Sequence, residues 1–219
     1  VGGMIAIDFK DPTKPVVEKI DFDFAKQGYN LVIVNTGKSH ADLNADYSSV
    51  PSEMKSVAQA LGYDVCRQIT VEDIEKNLSA LREKVGDRAV LRALHFLAEN
   101  DRVDAQIKAL KSGDFDAFLH NVTSSGNSSW KWLQNCYSPA NCNEQGITVA
   151  LAFTEMYLSG IGKGACRVHG GGFAGVIAVF LPAEKADDYI DYIEGLLGKG
   201  NAYKMNIRDY GAVCLDDIV

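Results

Sequence analysis

The feature that most constrains this chain is a run of glycines followed by a strand pattern instead of a helix. Gly170, Gly171 and Gly172 lead through Phe173 and Ala174 to Gly175, and then into the continuous apolar stretch Val176 to Leu181. Gly170, Gly172 and Gly175 fit the spacing G-x-G-x-x-G. The dinucleotide-binding fingerprint, however, needs a helix opening directly after its glycines. A short β-branched run bounded by turn residues reads as a buried strand, and Ala165 to His169 before the cluster reads the same way. The glycines therefore join two strands, and a Rossmann domain is excluded. A P-loop is excluded as well, because no Gly-Lys-Ser/Thr closes a glycine loop. A two-residue hairpin needs only one or two glycines. The surplus permits positive φ and close approach of a backbone or ligand, and successive N–H groups in such a loop can form an anion nest. Two readings stay open from the residues: a generous hairpin turn, or a loop on the ligand or phosphate side of a site.

Around this turn the pattern is α+β. Met4 to Phe9, Val16 to Phe24 and Leu31 to Val34 read as strands, the first two separated by Pro12 and Pro15. After Gly37 the period becomes helical. Pro51 suits a first helical turn, with Met54, Val57, Ala58 and Leu61 on one face. Thr70 to Asp73 resembles a capping box opening a helix that buries Ile74, Leu78, Leu81 and Val85. A third helix is predicted from Arg88 to Lys111. Glu99 to Arg102 reads as its solvated face, with i,i+3 pairing. A short helix carries Phe115, Phe118 and Leu119, and Thr123 to Ser129 reads as a polar joint. Gln145 to Ser159 is a further helix. Helix, strand and strand candidates follow after Pro182, at Tyr203 to Ile207 and at Ala212 to Leu215. Hairpin connections with a returning helix imply an antiparallel sheet of β-β-α-β type, layered with helices.

Charge and cysteines narrow the class. The net charge is −7, which disfavours a nucleic-acid binder or a polybasic membrane contact. No apolar run approaches the ~20 residues of a bilayer span. Five cysteines stand at 66, 136, 142, 166 and 214 without a Cys-x-x-Cys pair, so reduced thiols in a cytoplasmic protein are expected. Asn121 and Asn127 each begin a glycosylation sequon, read here as chance matches. No histidine pair has metal-ligand spacing. His95 is expected to be a packed, hydrogen-bonded core residue, while His40 and His169 lie beside loops. Cys166 and His169 stand three apart on one strand, so they point to opposite faces and make a poor nucleophile pair. Tyr47 lies past a strand end and reads either as a surface loop tyrosine or as an amphipathic ring at a sugar pocket.

Three stretches taken together resemble the carboxyl-terminal half of the galactokinases, in the GHMP kinase superfamily. Asn35-Thr36-Gly37-Lys38-Ser39-His40-Ala41-Asp42-Leu43-Asn44-Ala45-Asp46-Tyr47 is similar to the family's Asn-Thr…His…Leu…Tyr stretch. Arg92-Ala93-Leu94-His95 with Glu99-Asn100-Asp101-Arg102-Val103 is similar to its Arg-Ala-x-His…Glu-Asn-x-Arg-Val helix. Val168-His169-Gly170-Gly171-Gly172-Phe173-Ala174-Gly175 is similar to its third motif, with His169 for the usual Thr and Ala174 for a Gly. Ser125 to Ser129 stands where many members have Ser-His-x-Ser-Leu.

The resemblance implies transfer of the γ-phosphoryl group of ATP, with Mg2+, to the 1-hydroxyl of galactose or a related sugar. It implies Tyr47 in the sugar pocket, and Gly170, Gly171, Gly172 and Gly175 near the phosphoryl-transfer side. It implies no catalytic base and no metal ligand in this chain, since the family's base and nucleotide loop lie in stretches not found here. The expected organisation is therefore residues 1–36 as strands belonging to or adjoining the kinase N-terminal domain, and 37–219 as the GHMP C-terminal domain. The chain alone is expected to be inactive and to need the missing N-terminal kinase half as partner. A non-catalytic sugar-binding or dimerisation domain, or a GHMP kinase for another sugar or small alcohol, remains as an alternative.

Overall fold

A computed structural model describes residues 2–37 and 43–208, together with 211 and 214. His40 and most of the strand candidate at 212–215 lie outside the described residues.

The chain opens with a two-stranded antiparallel ribbon, β1 (Met4–Asp8) and β2 (Val16–Ile20). The strand β3 (Tyr29–Asn35) follows, then four helices: α1 (Asn44–Ala60), α2 (Val71–Val85), α3 (Asp87–Ser112) and α4 (Phe115–Ser128). A π turn at Ser129–Leu133 leads towards α5 (Gly146–Ile161). The last elements are β4 (Ala165–His169), β5 (Val176–Pro182), α6 (Ala186–Leu197) and β6 (Ala202–Met205). The main sheet has the order β4-β5-β3-β6, and every pair is antiparallel. This is the α+β layer that the hairpin spacing predicts.

The strands among residues 2–36 fall in two sheets. β1 and β2 pair only with each other, whereas β3 is an inner strand of the main sheet, between β5 and β6. The cause is visible in Leu31-Val32-Ile33-Val34. An apolar run without alternation needs cover on both faces, which an inner strand receives.

Cross-strand partners share a face, so the two sides of the sheet can be read from register. Val32, Val34, Cys166, Val168, Ile177, Val179 and Leu181 form one side and pack on α5 and α6 through Ile147, Ala150, Leu158, Tyr189 and Ile193. Each such fully buried aliphatic side chain contributes roughly 1.5–3 kcal/mol. Tyr189 is wholly buried and its hydroxyl meets Thr154 Oγ1 at 2.7 Å, so its polar tip is satisfied. The opposite side presents Ala165 and Phe180 to the ribbon and to α3 and α4. There Phe22, Phe24, Phe115, Phe118 and Tyr29 form a cluster of edge-on and stacked rings. A third core ties α1, α2 and α3 together through Val57, Ala58, Ile74, Leu81, Val90 and Ala93.

Several local expectations are corrected. α1 begins at Asn44, so Pro51 is interior to the helix and Tyr47 sits in its first turns instead of in a loop. The Thr70–Asp73 capping box forms in both directions, with Thr70 N–H donating to Asp73 at 2.9 Å and Asp73 N–H to Thr70 Oγ1 at 3.2 Å. Leu78 of the same helix is exposed. α5 continues through Gly160 and stops at Gly162, which adopts a left-handed conformation. The stretch read as a polar joint, Thr123–Ser129, is helical. Ser125 and Ser128 are buried and serve partners on α3. Ser125 and Ser128 stand one turn apart on α4, facing Glu99 and His95, one turn apart on α3. Glu99 is accordingly turned inward, not out to solvent, although its i,i+3 bond to Arg102 forms at 2.7 Å.

Candidate functional site

The β4–β5 connection is built to let two other elements lie against it. Gly172 has φ +82°, and a Cβ there would stand 2.1 Å from the carbonyl oxygen of Asn135. A Cβ on Gly171 would stand 2.5 Å from Cε1 of Tyr47. Gly170, at φ +75°, has open space around its missing Cβ. The three consecutive glycines thus answer to three demands: left-handed backbone at 170, the Tyr47 ring at 171, and left-handed backbone against Asn135 at 172. Phe173 is itself at φ +60°, a strained value for a residue with a bulky side chain. It is held there by its N–H donating to Asn135 O at 2.5 Å and by the Tyr47 ring, edge-on at 5.6 Å.

Tyr47 closes the arrangement. Its hydroxyl donates to Gly172 O at 2.9 Å, and burial, with Asp46 nearby, raises its pKa. The structure therefore brings Tyr47, Gly171 and Gly172 into contact. Gly175 lies at the far end of the loop, where its carbonyl accepts from both the N–H and the Oγ1 of Thr36, at 2.8 and 2.9 Å. β3 is thereby tied to the turn it precedes by 139 residues.

Asn135 was not legible in the sequence. Its Nδ2 donates to Gly171 O at 3.1 Å, and its buried Oδ1 has no partner among the described residues. What places it is Gln134, in left-handed conformation at the end of the π turn. Arg92 positions this side of the site. It is wholly buried and donates to Leu133 O (3.0 Å), Ser49 Oγ (2.8 Å) and Glu53 (2.9 Å). One guanidinium thus joins α3 to the helix that carries Tyr47 and to the turn that carries Asn135. Glu53 pairs with both Arg92 and Arg88, yet burial outweighs these partners and lowers the Arg92 pKa, and its Nη2 has no hydrogen-bond partner among the described residues.

A second polar cluster anchors β4. Arg167 donates to Glu99 at 3.3 Å, to Ser125 Oγ at 2.5 Å and to Val168 O at 2.9 Å. Glu99 also accepts from Ser125 and Arg102. Burial works against the charge of Glu99, and these partners win, holding its carboxyl below its ordinary range. His95 is the core histidine expected: Nδ1 lies 2.9 Å from Ser128 Oγ, and burial lowers its pKa to about 4. His169, at the end of β4, is exposed, and its pKa is lowered by desolvation and by Arg167. Cys166 faces the opposite core, buried, with its thiol pushed up to about 12. The two do not form a nucleophile pair.

Gly170 and Gly171 are exposed. Among the described residues no backbone acceptor takes their N–H groups. Two free donors on a tight glycine turn suit an anion such as a phosphate. Among the described residues no three acidic, histidine or cysteine side chains converge to hold a metal ion.

No family model matches the chain. The galactokinase of Thermotoga petrophila is 32% identical over 154 residues, which is 70% of this chain and 39% of that protein. The chain is galactokinase-like. The galactokinase of Streptomyces coelicolor is 27% identical over 195 residues, 88% of this chain and 46% of that protein. The galactokinase-like chain thus spans less than half the length of these relatives. Among solved structures, Lactococcus lactis galactokinase complexed with galactose superposes with a TM-score of 0.70 at 19% identity, over 94% of this chain and 50% of that one. The mevalonate kinase of L. major in complex with R-mevalonate follows at 0.54 and 12%, over 95% and 50%. At such identities the likeness is one of fold, that of the galactokinase and mevalonate kinase domains. No helix among the described residues is long and apolar enough to cross a membrane.

Proposed function

We propose that this chain is the C-terminal part of a galactokinase-like kinase that moves the γ-phosphoryl group of ATP to the 1-hydroxyl of galactose or a related sugar. The observation that carries the reading is the contact of Tyr47 with the glycine loop through Gly171 and Gly172. The sugar-side and phosphate-side elements are then two walls of one site. Tyr47 offers its ring face to the sugar while its hydroxyl is tethered to Gly172 O. The free N–H groups of Gly170 and Gly171 orient phosphate oxygens. Arg92 and Arg167 act at one remove, by holding the helix and the strand that bear these groups.

Phosphoryl transfer depends on positioning and on charge stabilisation. ATP with Mg2+ would supply the transferred group and its charge neutralisation when bound. The base and the nucleotide loop belong, in this reading, to a partner half outside residues 1–219, and a cytoplasmic location follows for an enzyme using ATP. The reading is supported by galactokinase relatives that are more than twice as long as the matched stretch.

The test is to sequence the coding DNA upstream of Val1 and to assay the whole product for sugar-dependent ADP release. Galactose is expected to be the best acceptor, with no turnover by residues 1–219 alone. Robust turnover by the 219 residues alone would overturn the division of labour. Sugar binding by the whole product without ATP turnover would replace the kinase reading with a binding domain.

A further inference from the structure

A cavity of about 430 Å3 opens between α4, the π turn, α5 and the edge strand β4. It lies at the Gly164–Arg167 end of β4, whereas the Tyr47–glycine contact lies beyond the other end of that strand. Its size falls within the range of small-molecule sites, roughly 300–1,000 Å3.

Its lining is mixed in a particular way. Trp130 forms one wall, about 39% exposed, with its ring steadied by Tyr137 at 5.8 Å. Thr123 and Asn127, both exposed, bring a hydroxyl and an amide to the lining. The Thr148 Oγ1 is buried and has no hydrogen-bond partner among the described residues. Arg167 and Glu155 both border the space. Arg167 is already engaged by Glu99 and Ser125, while Glu155 makes no ion pair among the described residues. With Arg167 taken up by Glu99, the lining offers an anion no unengaged cation, while Glu155 can accept from ligand hydroxyl groups. An indole beside hydroxyl, amide and carboxylate groups suits a ring that is apolar on its flat side and hydroxylated at its edge.

We propose that this cavity is a second ligand site, for a small neutral hydroxylated ring of the monosaccharide or cyclitol class. It is separate from the Tyr47–glycine loop. An occupant would touch Arg167, three residues before Gly170, so binding there bears on the anchor of the loop. The proposal does not depend on the kinase reading, since it rests on the cavity lining alone.

The experiment is calorimetric titration and saturation-transfer NMR on the whole coding product, with D-galactose, D-glucose, myo-inositol and inorganic phosphate as probes. A Tyr47→Phe, Gly171→Ala background disables the first site. In that background at least one neutral ring is expected to bind with Kd of about 1 mM, and phosphate is not. Trp130→Leu and Ala152→Phe, which remove the platform and fill the space, are each expected to weaken it at least about tenfold. Asn127→Ala, at an exposed lining residue, is a milder probe that keeps the fold and is expected to weaken binding severalfold. Saturation transfer is expected to reach the C–H face of the ring. Phosphate binding in preference to the neutral rings, no binding of any ring in the background, or binding indifferent to all three variants would overturn the proposal. Loss of all sugar binding on disabling the first site would do the same, while leaving the proposed kinase site standing.

Discussion

Replacing Gly172 by alanine is expected to destabilise the protein far more than replacing Gly170, although both residues have positive φ. At Gly170 the backbone lies at +75° and a Cβ meets nothing within 4 Å. The cost there is left-handed strain alone, about 1–2 kcal/mol. At Gly172 the same strain applies at +82°, and the new carbon also falls 2.1 Å from Asn135 O and 2.5 Å from its Nδ2. Backbone cannot yield as a side-chain tip does, so the loop and the π turn must separate. Overpacking of this kind costs about 1–3 kcal/mol. Separation also breaks the Phe173 N–H to Asn135 O bond and the Asn135 Nδ2 to Gly171 O bond, each worth about 0.5–1.5 kcal/mol. The total is about 3–8 kcal/mol, a large share of the roughly 5–15 kcal/mol that holds a typical domain. Urea titrations of the two variants beside the parent would measure it as a shift in midpoint at unchanged slope. Hydrogen exchange at the Phe173 amide would show whether the loss is local. Equal midpoints for the Gly170 and Gly172 variants would refute the reasoning, because the strain is shared and only the Asn135 contact differs.

Tyr47→Phe keeps the ring against Phe173 and removes only the hydroxyl tether; it is expected to cost about 0.5–1.5 kcal/mol in stability and to raise the KM for sugar of the whole enzyme, measured by initial rates. Lowering pH from about 6.5 to 4 is expected to destabilise the protein. His95 stays neutral in the fold with its pKa lowered to about 4, while an unfolded histidine takes up its proton near pH 6.5. The unfolded state therefore binds more protons across that window, and roughly 3 kcal/mol of stability is lost on descending it. His95→Asn should flatten this part of a stability–pH curve; an unchanged slope would contradict the assignment. A thiol reagent is expected to label Cys142 and Cys214 quickly. Cys66, Cys136 and Cys166 should wait for unfolding, since burial raises their pKa to about 11, 12 and 12.

The strand-turn-strand reading of residues 165–181 rested on local chemistry, and local chemistry decided it. Glycines followed by a β-branched run have few other solutions. The same holds for the Thr70 capping box, whose partners lie within one turn. The failures came where the deciding partner is remote. Ser125 and Ser128 look like joint residues until His95, Glu99 and Arg167 are in place to receive them. Pro51 looks like a helix start because the preceding residues show no apolar face. α1 begins earlier because Tyr47 and Ser49 are used from its first turns by Gly172 and Arg92. β3 reads as an inner strand from its unbroken apolar run, but only the pairing with Val176–Pro182 and with β6 names its neighbours.

The candidate site shows the same division more sharply. Tyr47 and the glycines were each legible, yet from the residues alone each had a bland alternative, a surface tyrosine or a generous hairpin. Their contact shows what each one touches: Tyr47 is tied to the loop, and Gly171 and Gly172 have no room for a side chain. Asn135 was invisible because nothing in Gln134-Asn135-Cys136 marks it; its importance comes from the left-handed Gln134 and from an arginine 43 residues away from the serine it holds on α1. The buried arginine therefore does more for the site than its distance from the loop suggests. Without Arg92, Ser49 and Leu133 lose their shared partner, and Tyr47 and Asn135 lose a side chain that joins their two supports. Arg92→Lys, which keeps the charge but cannot reach three acceptors in a planar fork, should accordingly loosen both walls of the site at once, whereas Arg88→Lys, on the exposed side of Glu53, should leave them in place.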